Sequence, residues 1–270
     1  MTRAQRFSEA TQLPGDVVDA LADVRPRLGR LASTVTYFPT VGSTNDVAAT
    51  MPEGAVVIAE AQTAGRGRRG RSWFSPPGSG LYVSIVLAPS RSADRRRAAS
   101  LTTIAAGVAL AEGIEAATGL RVHLKWPNDL YVARRKLAGI LAEAASAGDR
   151  IDTVVLGYGI NVAEAAYPPE LRDRVTSLES ELGTAPRRAG VLAETLAALA
   201  ARYDDLLAGR FDAILNGWRS RAEANGARVE WISADGPRSG LVVDIDDDGA
   251  LIVDTGSGRE RIVAGELTWT

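Results

Sequence analysis

Apolar positions along the chain follow two kinds of pattern, and the mixture changes near the C-terminal end. Over 98–118, Leu101, Ile104, Ala105, Val108 and Ile114 recur close to helical spacing and Gly119 supplies a stop, which predicts a long packing helix. A second stripe, Leu192, Leu196, Leu199, Tyr203, Leu206 and Leu207, predicts another helix over 189–208 that ends before Gly209. Apolar runs at 56–59 and 81–87 read as strands. Those at 122–125, 130–132, 137–141 and 151–156 are separated by short turns and predict one antiparallel meander. After Trp218 the runs become brief and β-branched, at 228–232, 240–245, 250–254 and 261–264, with Asp247-Asp248-Gly249 and Thr255-Gly256-Ser257-Gly258 as hairpin turns. That texture predicts a small all-β unit of about 50 residues, near the lower limit for an independent core, which should lean on the rest of the chain.

The pattern implies a chain that mixes α and β, with a boundary at Asn225-Gly226. Residues 1–34 form a short N-terminal segment, 35–224 the larger domain and 225–270 the β unit. Composition narrows the function classes. A net charge of −2 argues against a protein that coats nucleic acid. The absence of cysteine removes disulfides, thiolate metal sites and thioester chemistry, and agrees with a reducing compartment. The N-terminus lacks an apolar signal core, and no uninterrupted apolar run reaches the roughly 20 residues of a membrane span, so a cytoplasmic protein is expected.

Against that near-neutral background, Gly65-Arg66-Gly67-Arg68-Arg69-Gly70-Arg71-Ser72-Trp73 stands out between two strand-like runs. Its glycines allow backbone amides close to a bound anion, its arginines carry permanent charge and forked donors, and Trp73 ends it with a flat stacking surface. The glycine spacing matches the dinucleotide fingerprint, but the loop runs into Pro76-Pro77-Gly78 where that fold needs a helix. A kinase phosphate loop would require a His-Arg-Asp catalytic loop, whereas the one histidine, His123, precedes Leu124-Lys125. A solvated charged loop is the plainer alternative.

Three other segments carry candidate chemistry. Ser43-Thr44-Asn45-Asp46 follows Tyr37-Phe38-Pro39 and reads first as a helix cap. Lys125-Trp126-Pro127-Asn128-Asp129 puts a cation and an indole where turn chemistry alone needs neither. In Lys136-Leu137-Ala138-Gly139-Ile140-Leu141 a lysine enters an apolar strand and a glycine interrupts it, a mark of close approach by a ligand or backbone.

Together with Gln62 and Gly157-Tyr158-Gly159-Ile160-Asn161-Val162, these segments stand in the order found in biotin protein ligases, and the chain resembles that family from Thr40 to its C-terminus. The resemblance implies an α+β fold: a catalytic domain with a mixed β-sheet flanked by helices, like the class II aminoacyl-tRNA synthetases, and a small Src-homology-type C-terminal β-barrel. It implies ATP-dependent ligation of biotin to a lysine of a biotin carboxyl carrier domain, of acetyl-CoA or another acyl-CoA carboxylase or of pyruvate carboxylase, through biotinyl-5′-adenylate. By resemblance, Ser43, Thr44, Asn45, Gln62, Gly65, Arg66, Gly67, Arg68 and Lys136 bind biotin and its acyl phosphate. Arg69, Trp73, Lys125, Asn128, Asp129 and Asn161 serve ATP, with Trp73 over the adenine. Lys136 and Arg68 carry the catalytic roles, Arg68 by clamping the finished adenylate. Mg2+ rides on the ATP phosphates, and no protein ligand set for a metal is assigned. Tyr158 stands where relatives often carry a smaller residue and receives no role. Residues 163–174, without a steady period, are expected to cover the adenylate and to order with nucleotide.

A lipoate-type ligase or a biotin-sensing repressor are the alternatives. The repressor needs a DNA-binding head, and the roughly 34 residues ahead of Val35 fall below the roughly 40 that usually fold unaided. Their helix signal, Val17, Val18, Leu21 and Val24, suggests packing over 16–24, so neither a specific DNA partner nor a membrane is expected.

Overall fold

The computed structural model describes residues 9–147, 150–165, 167–222, 226–233, 236–265 and 267–269. Helix α1 (Gly15–Val24) begins after Pro14 and packs on a later helix through Ala20, Leu21 and Val24. Strand β1 (Val35–Phe38), the short helix α2 (Thr44–Ala48) and strands β2 (Val56–Ala59) and β3 (Gly80–Leu87) follow. The long helix α3 (Arg95–Thr118) starts three residues before the predicted point, because the Asp94 carboxylate accepts the Arg97 N–H and caps it; Gly119 ends it in the left-handed conformation. Next come β4 (His123–Lys125), β5 (Asp129–Val132), β6 (Arg135–Ala147) and β7 (Arg150–Asn161).

Helices α4 (Pro169–Arg172), α5 (Leu178–Leu182), α6 (Arg188–Leu207) and α7 (Phe211–Arg219) complete the larger unit. The C-terminal strands are β8 (Arg228–Ser233), β9 (Gly236–Ile245), β10 (Leu251–Asp254), β11 (Arg259–Ile262) and β12 (Thr268–Trp269). Several of these elements depart from expectation, among them α5 and β12, which have no counterpart in the predicted pattern. The segment 163–174, read as irregular, carries α4, because Pro169 at the first helical position presets the backbone. Helix α7 was not anticipated; it is short and contains Gly217, yet it buries Phe211, Ile214, Leu215 and Trp218 on one side.

The seven-stranded sheet has the order β1-β2-β3-β7-β6-β5-β4 and is mixed, with only β1 and β2 parallel. The meander over β4 to β7 is present in full. Strand β7 continues past the predicted end at 156 through Gly157 and Gly159, because side chains from other elements cover that face. The alternation of strand side chains divides β7 cleanly: Leu156, Tyr158 and Ile160 enter the core, while Gly157, Gly159 and Asn161 face the other way. Helices α3 and α6 pack on each other and close the core. By length and composition α3 could cross a membrane, but it lies mostly buried inside the protein.

The C-terminal strands form a five-stranded antiparallel sheet, β11-β10-β9-β8-β12. It does lean on the larger unit. The turn between β9 and β10 presents the Gly249 carbonyl to Trp126 Nε1 at 2.9 Å and the Asp247 carbonyl to Arg97 Nε at 2.8 Å, while Arg219 reaches Asp244 at 2.9 Å. Asn225, half of the expected boundary, lies outside the described residues.

Gly113 marks where α3 and α6 cross closest. Alanine there would be the better helix former by about 1 kcal/mol. Its methyl, however, would stand 2.5 Å from Thr195 Cα and 2.8 Å from the Glu194 carbonyl, both backbone atoms that cannot swing away. Overpacking of this kind costs about 1–3 kcal/mol, so Gly113→Ala should lower the urea midpoint of unfolding; an unchanged or raised midpoint would contradict the tight crossing.

Candidate functional site

The site lies on the sheet face opposite α3 and α6, over the glycines of β6 and β7. Gly139 and Gly159 are paired across the strands. A Cβ on Gly139 would stand 3.0 Å from the Trp73 indole, one on Gly159 would collide with that indole, and one on Gly157 would collide with the Asn45 amide. The floor is bare so that these side chains can lie flat on it.

One wall is the start of α2. Ser43 has the extended backbone of an N-cap, yet its side chain makes no capping bond. Thr44 and Asn45 are buried beside it. Gln62, beyond β2, accepts the Thr44 N–H at 2.9 Å on Oε1, with Thr44 Oγ1 at 3.2 Å, and donates from Nε2 to Ser75 Oγ at 3.1 Å. Ser84, fully buried on β3, lies 2.7 Å from Thr44 Oγ1 and 2.5 Å from Asn45 Oδ1. Asn45 Nδ2 donates to Glu143 at 2.5 Å.

The glycine-arginine segment folds back on itself over this wall. Trp73 N donates to the Gly65 carbonyl at 2.9 Å and Gly67 N to the Arg71 carbonyl at 2.7 Å, with Arg69 and Gly70 both left-handed at the tip. Here the Gly67 amide closes the chain's own turn, and Gly65 allows a crossing in which a Cβ would meet Ser75 Oγ and the Trp73 carbonyl at 2.6 Å. The arginines do face the cleft. Arg66 pairs with Asp46 at 2.8 Å and Glu143 at 3.0 Å, and Arg68 donates to Asn128 Oδ1 at 3.2 Å. Downstream, Glu60 takes a bidentate bond from Arg188 and the Gly78 N–H, which pins the far end of the loop; the Arg188 guanidinium holds the Glu60 carboxyl below its usual range.

The opposite wall is cationic. Lys136 Nζ lies 2.6 Å from Asp129 Oδ1 and 5.3 Å from the centre of the Trp73 ring. Asn128 Nδ2 donates to the Ile140 carbonyl at 2.7 Å. Burial pushes the Lys125 ammonium down to about 8, opposed by the Asp129 carboxylate and assisted by the charges of Lys136, Arg174 and Arg134. Asn161 Nδ2 donates to the Thr176 carbonyl at 2.9 Å, and residues 174–176 run beside Lys136 through two backbone bonds. Tyr167, on the segment expected to act as a cover, packs on Phe74 with ring centres 5.9 Å apart.

The resulting cleft measures about 1070 Å³, slightly above the range usual for a single small-molecule site. Ser43, Thr44, Asn45, Gln62, Gly65, Arg66, Gly67, Arg68, Arg69, Trp73, Lys125, Asn128, Asp129, Lys136 and Asn161 all line it. Tyr158 also borders it, while its side chain reaches into the core with the hydroxyl 3.4 Å from Thr195 Oγ1. The sequence reading passed over Glu143 and Ser84, which back the α2 wall. Their one local signal is a polar side chain inside the apolar runs of β6 and β3.

Comparison with known proteins bears on this arrangement. Residues 33–161 match the Biotin/lipoate A/B protein ligase family, and residues 226–267 match the Biotin protein ligase C terminal domain. The chain is 35% identical over 219 residues to the Biotin--[acetyl-CoA-carboxylase] ligase of Paracoccus denitrificans, covering 79% of this chain and 89% of that one. It is 38% identical over 218 residues to the Bifunctional ligase/repressor BirA of Bacillus spizizenii, covering 80% of this chain and 66% of the relative's length. The fold superposes with a TM-score of 0.77 and 28% identity on the Biotin protein ligase from Aquifex aeolicus in complex with biotin and ATP, covering 88% of this chain and 99% of that one.

Trp73 Nε1 is buried without a hydrogen-bond partner among the described residues, so packing on the glycine floor holds the indole. Gly159→Ala should expel it, with red-shifted tryptophan emission and faster tryptic cleavage within residues 66–71. Parental emission and cleavage would show that the floor does not seat Trp73.

Proposed function

The chain belongs to the biotin protein ligase family, and on that premise we propose that it joins biotin to a lysine of a carrier domain at the expense of ATP, by way of biotinyl-5′-adenylate. The observation that carries this reading is the meeting, in one cleft, of a hydroxyl and amide wall at Ser43, Thr44 and Gln62 with a cationic wall at Lys125, Lys136 and Arg68. The first wall suits the ureido ring of biotin, and the second suits phosphate. Between them, a biotin carboxylate oxygen attacks the α-phosphorus, the new P–O bond forms, and the bond to pyrophosphate breaks. Charge grows on the phosphoryl oxygens as this happens. Fixed cations there stabilise the transition state without a covalent enzyme intermediate, which suits a chain lacking cysteine.

Lys136 is the cation we place at that chemistry. Asp129 holds its ammonium, and Arg68 is steadied by Asn128, so neither cation must reorganise far during reaction. Of the other residues lining the cleft, we assign Trp73 and Asn161 to the adenine and Arg69 to the outer phosphates. Mg2+ arrives on ATP; Asp129, a carboxylate lining the cleft, is already paired with Lys136. In the second half-reaction a lysine amine of the carrier attacks the acyl carbon and AMP leaves. We assign residues 35–224 to the catalytic domain, 225–270 to the C-terminal β domain and 1–34 to an accessory segment whose helix α1 packs on α6. The acceptor is the biotin carboxyl carrier domain of acetyl-CoA carboxylase, and the setting is the cytoplasm.

Biotin-dependent exchange of pyrophosphate into ATP tests the reading, with lipoate and amino acids in parallel. Biotin alone should drive exchange; exchange driven by lipoate would overturn it. Lys136→Ala should lower the exchange rate by roughly a hundredfold or more, a few kcal/mol of barrier, while the melting temperature stays close to parental. Near-parental exchange by the folded variant would remove Lys136 from the reaction. The pH profile examines Lys125 separately. Its ammonium binds phosphate and is lost as pH rises through about 8, so ATP affinity should fall above that pH and hold below it. Lys125→Arg, charged throughout, should abolish the alkaline fall; a fall that persists would assign it to another group.

A further inference from the structure

The hydrogen bonds behind the α2 wall have a direction, and it is set from outside the cleft. Glu143 does not line the cleft. Its carboxylate can only accept, so the Asn45 amide must turn its nitrogen toward Glu143, 2.5 Å away, and its oxygen toward Ser84. Ser84 carries one proton. With Asn45 Oδ1 at 2.5 Å that proton is committed to the amide, because two oxygens so close without a proton between them repel. Ser84 Oγ is also placed to donate to Thr44 Oγ1 at 2.7 Å, and Thr44 Oγ1 to Gln62 Oε1 at 3.2 Å, but with its one proton committed Ser84 offers Thr44 only lone pairs, so the Thr44 proton turns to Ser84, the shorter of the two contacts. Each proton in the row points away from the cleft. Thr44 Oγ1 is left presenting lone pairs to whatever binds.

We infer that Glu143 is a positioning residue which, through Asn45 and Ser84, fixes the Thr44 hydroxyl as a hydrogen-bond acceptor for a ligand N–H. The inference rests on the biotin reading, in which the ligand is a cyclic urea with an N–H donor on each nitrogen. Thr44, Asn45 and Ser84 are all buried, so water cannot compensate for a row that runs the wrong way. Bare Gly157 contributes, since any side chain there would displace the Asn45 amide from between Glu143 and Ser84.

Glu143 also pairs with Arg66 at 3.0 Å, so loss of charge and loss of direction must be told apart. Glu143→Gln keeps an acceptor oxygen for Asn45 and removes the charge. Glu143→Ala removes both and frees the amide to turn. Biotin affinity of the full chain, measured calorimetrically, should fall roughly tenfold or more in Glu143→Ala and return to within about threefold of parental in Glu143→Gln. Ser84→Ala cuts the row at a second link and should lose about as much as Glu143→Ala, and the double variant should be no weaker than the weaker single one. In pyrophosphate exchange the biotin KM should rise with kcat and the ATP KM unchanged. Equal losses in Glu143→Ala and Glu143→Gln would assign the effect to the Arg66 ion pair and overturn the inference. So would additive losses in the double variant, or parental affinity in Ser84→Ala, which also serves if Glu143→Ala fails to fold. A parental chain that does not bind biotin at all defeats the functional reading instead.

Discussion

Everything at the site depends on three positions of the central sheet having no side chain. Gly139, Gly157 and Gly159 lie on one face of β6 and β7, while their neighbours Ile140, Tyr158 and Ile160 fill the core on the other. A strand can do this only because its side chains alternate. The two central strands thus serve as the wall of a core and the floor of a cleft; glycine weakens a strand interior, and here the flanking strands pair on both sides of these two.

Three distant stretches of chain meet on that floor: the start of α2, the glycine-arginine loop and the turn between β4 and β5. Arg66 holds the loop to its neighbours by ion pairs whose side chains are all more than a third exposed, and such pairs contribute about 0–1 kcal/mol. Packing of Trp73 on the floor and the loop's own backbone bonds must therefore do most of the holding. The indole N–H is buried without a hydrogen-bond partner among the described residues, at a cost of about 1–3 kcal/mol that this packing must offset. The C-terminal sheet braces the third stretch, because Trp126, inside the turn that carries Lys125 and Asn128, bonds to the Gly249 carbonyl.

Much of this was legible in the residue order. Periodicity located α3 and α6 within a few residues and the meander strand by strand, because those elements bury one regular face. The site residues were legible as motifs, and every one borders the cleft. The path of the loop was not. Composition suggests amides available to an anion, and does not show that the segment folds back so that the Gly67 amide bonds to the Arg71 carbonyl and Trp73 N to the Gly65 carbonyl. Ser43 shows the limit from the other side: the cap reading was right for its backbone and silent about its hydroxyl, which makes no capping bond. Glu143 and Ser84 stand on different strands, 59 positions apart, and their joint action on Asn45 exists only after the sheet has formed.

The most direct measurement is a single turnover of the full chain with biotin and ATP in the absence of any acceptor, analysed by mass spectrometry. One biotinyl-adenylate should remain bound per chain, with one pyrophosphate released, and added carrier domain should consume the adenylate and release AMP. Release of ADP and phosphate, or biotinylation of the carrier with no adenylate detectable beforehand, would contradict a cleft that activates one substrate with the other on a bare glycine floor.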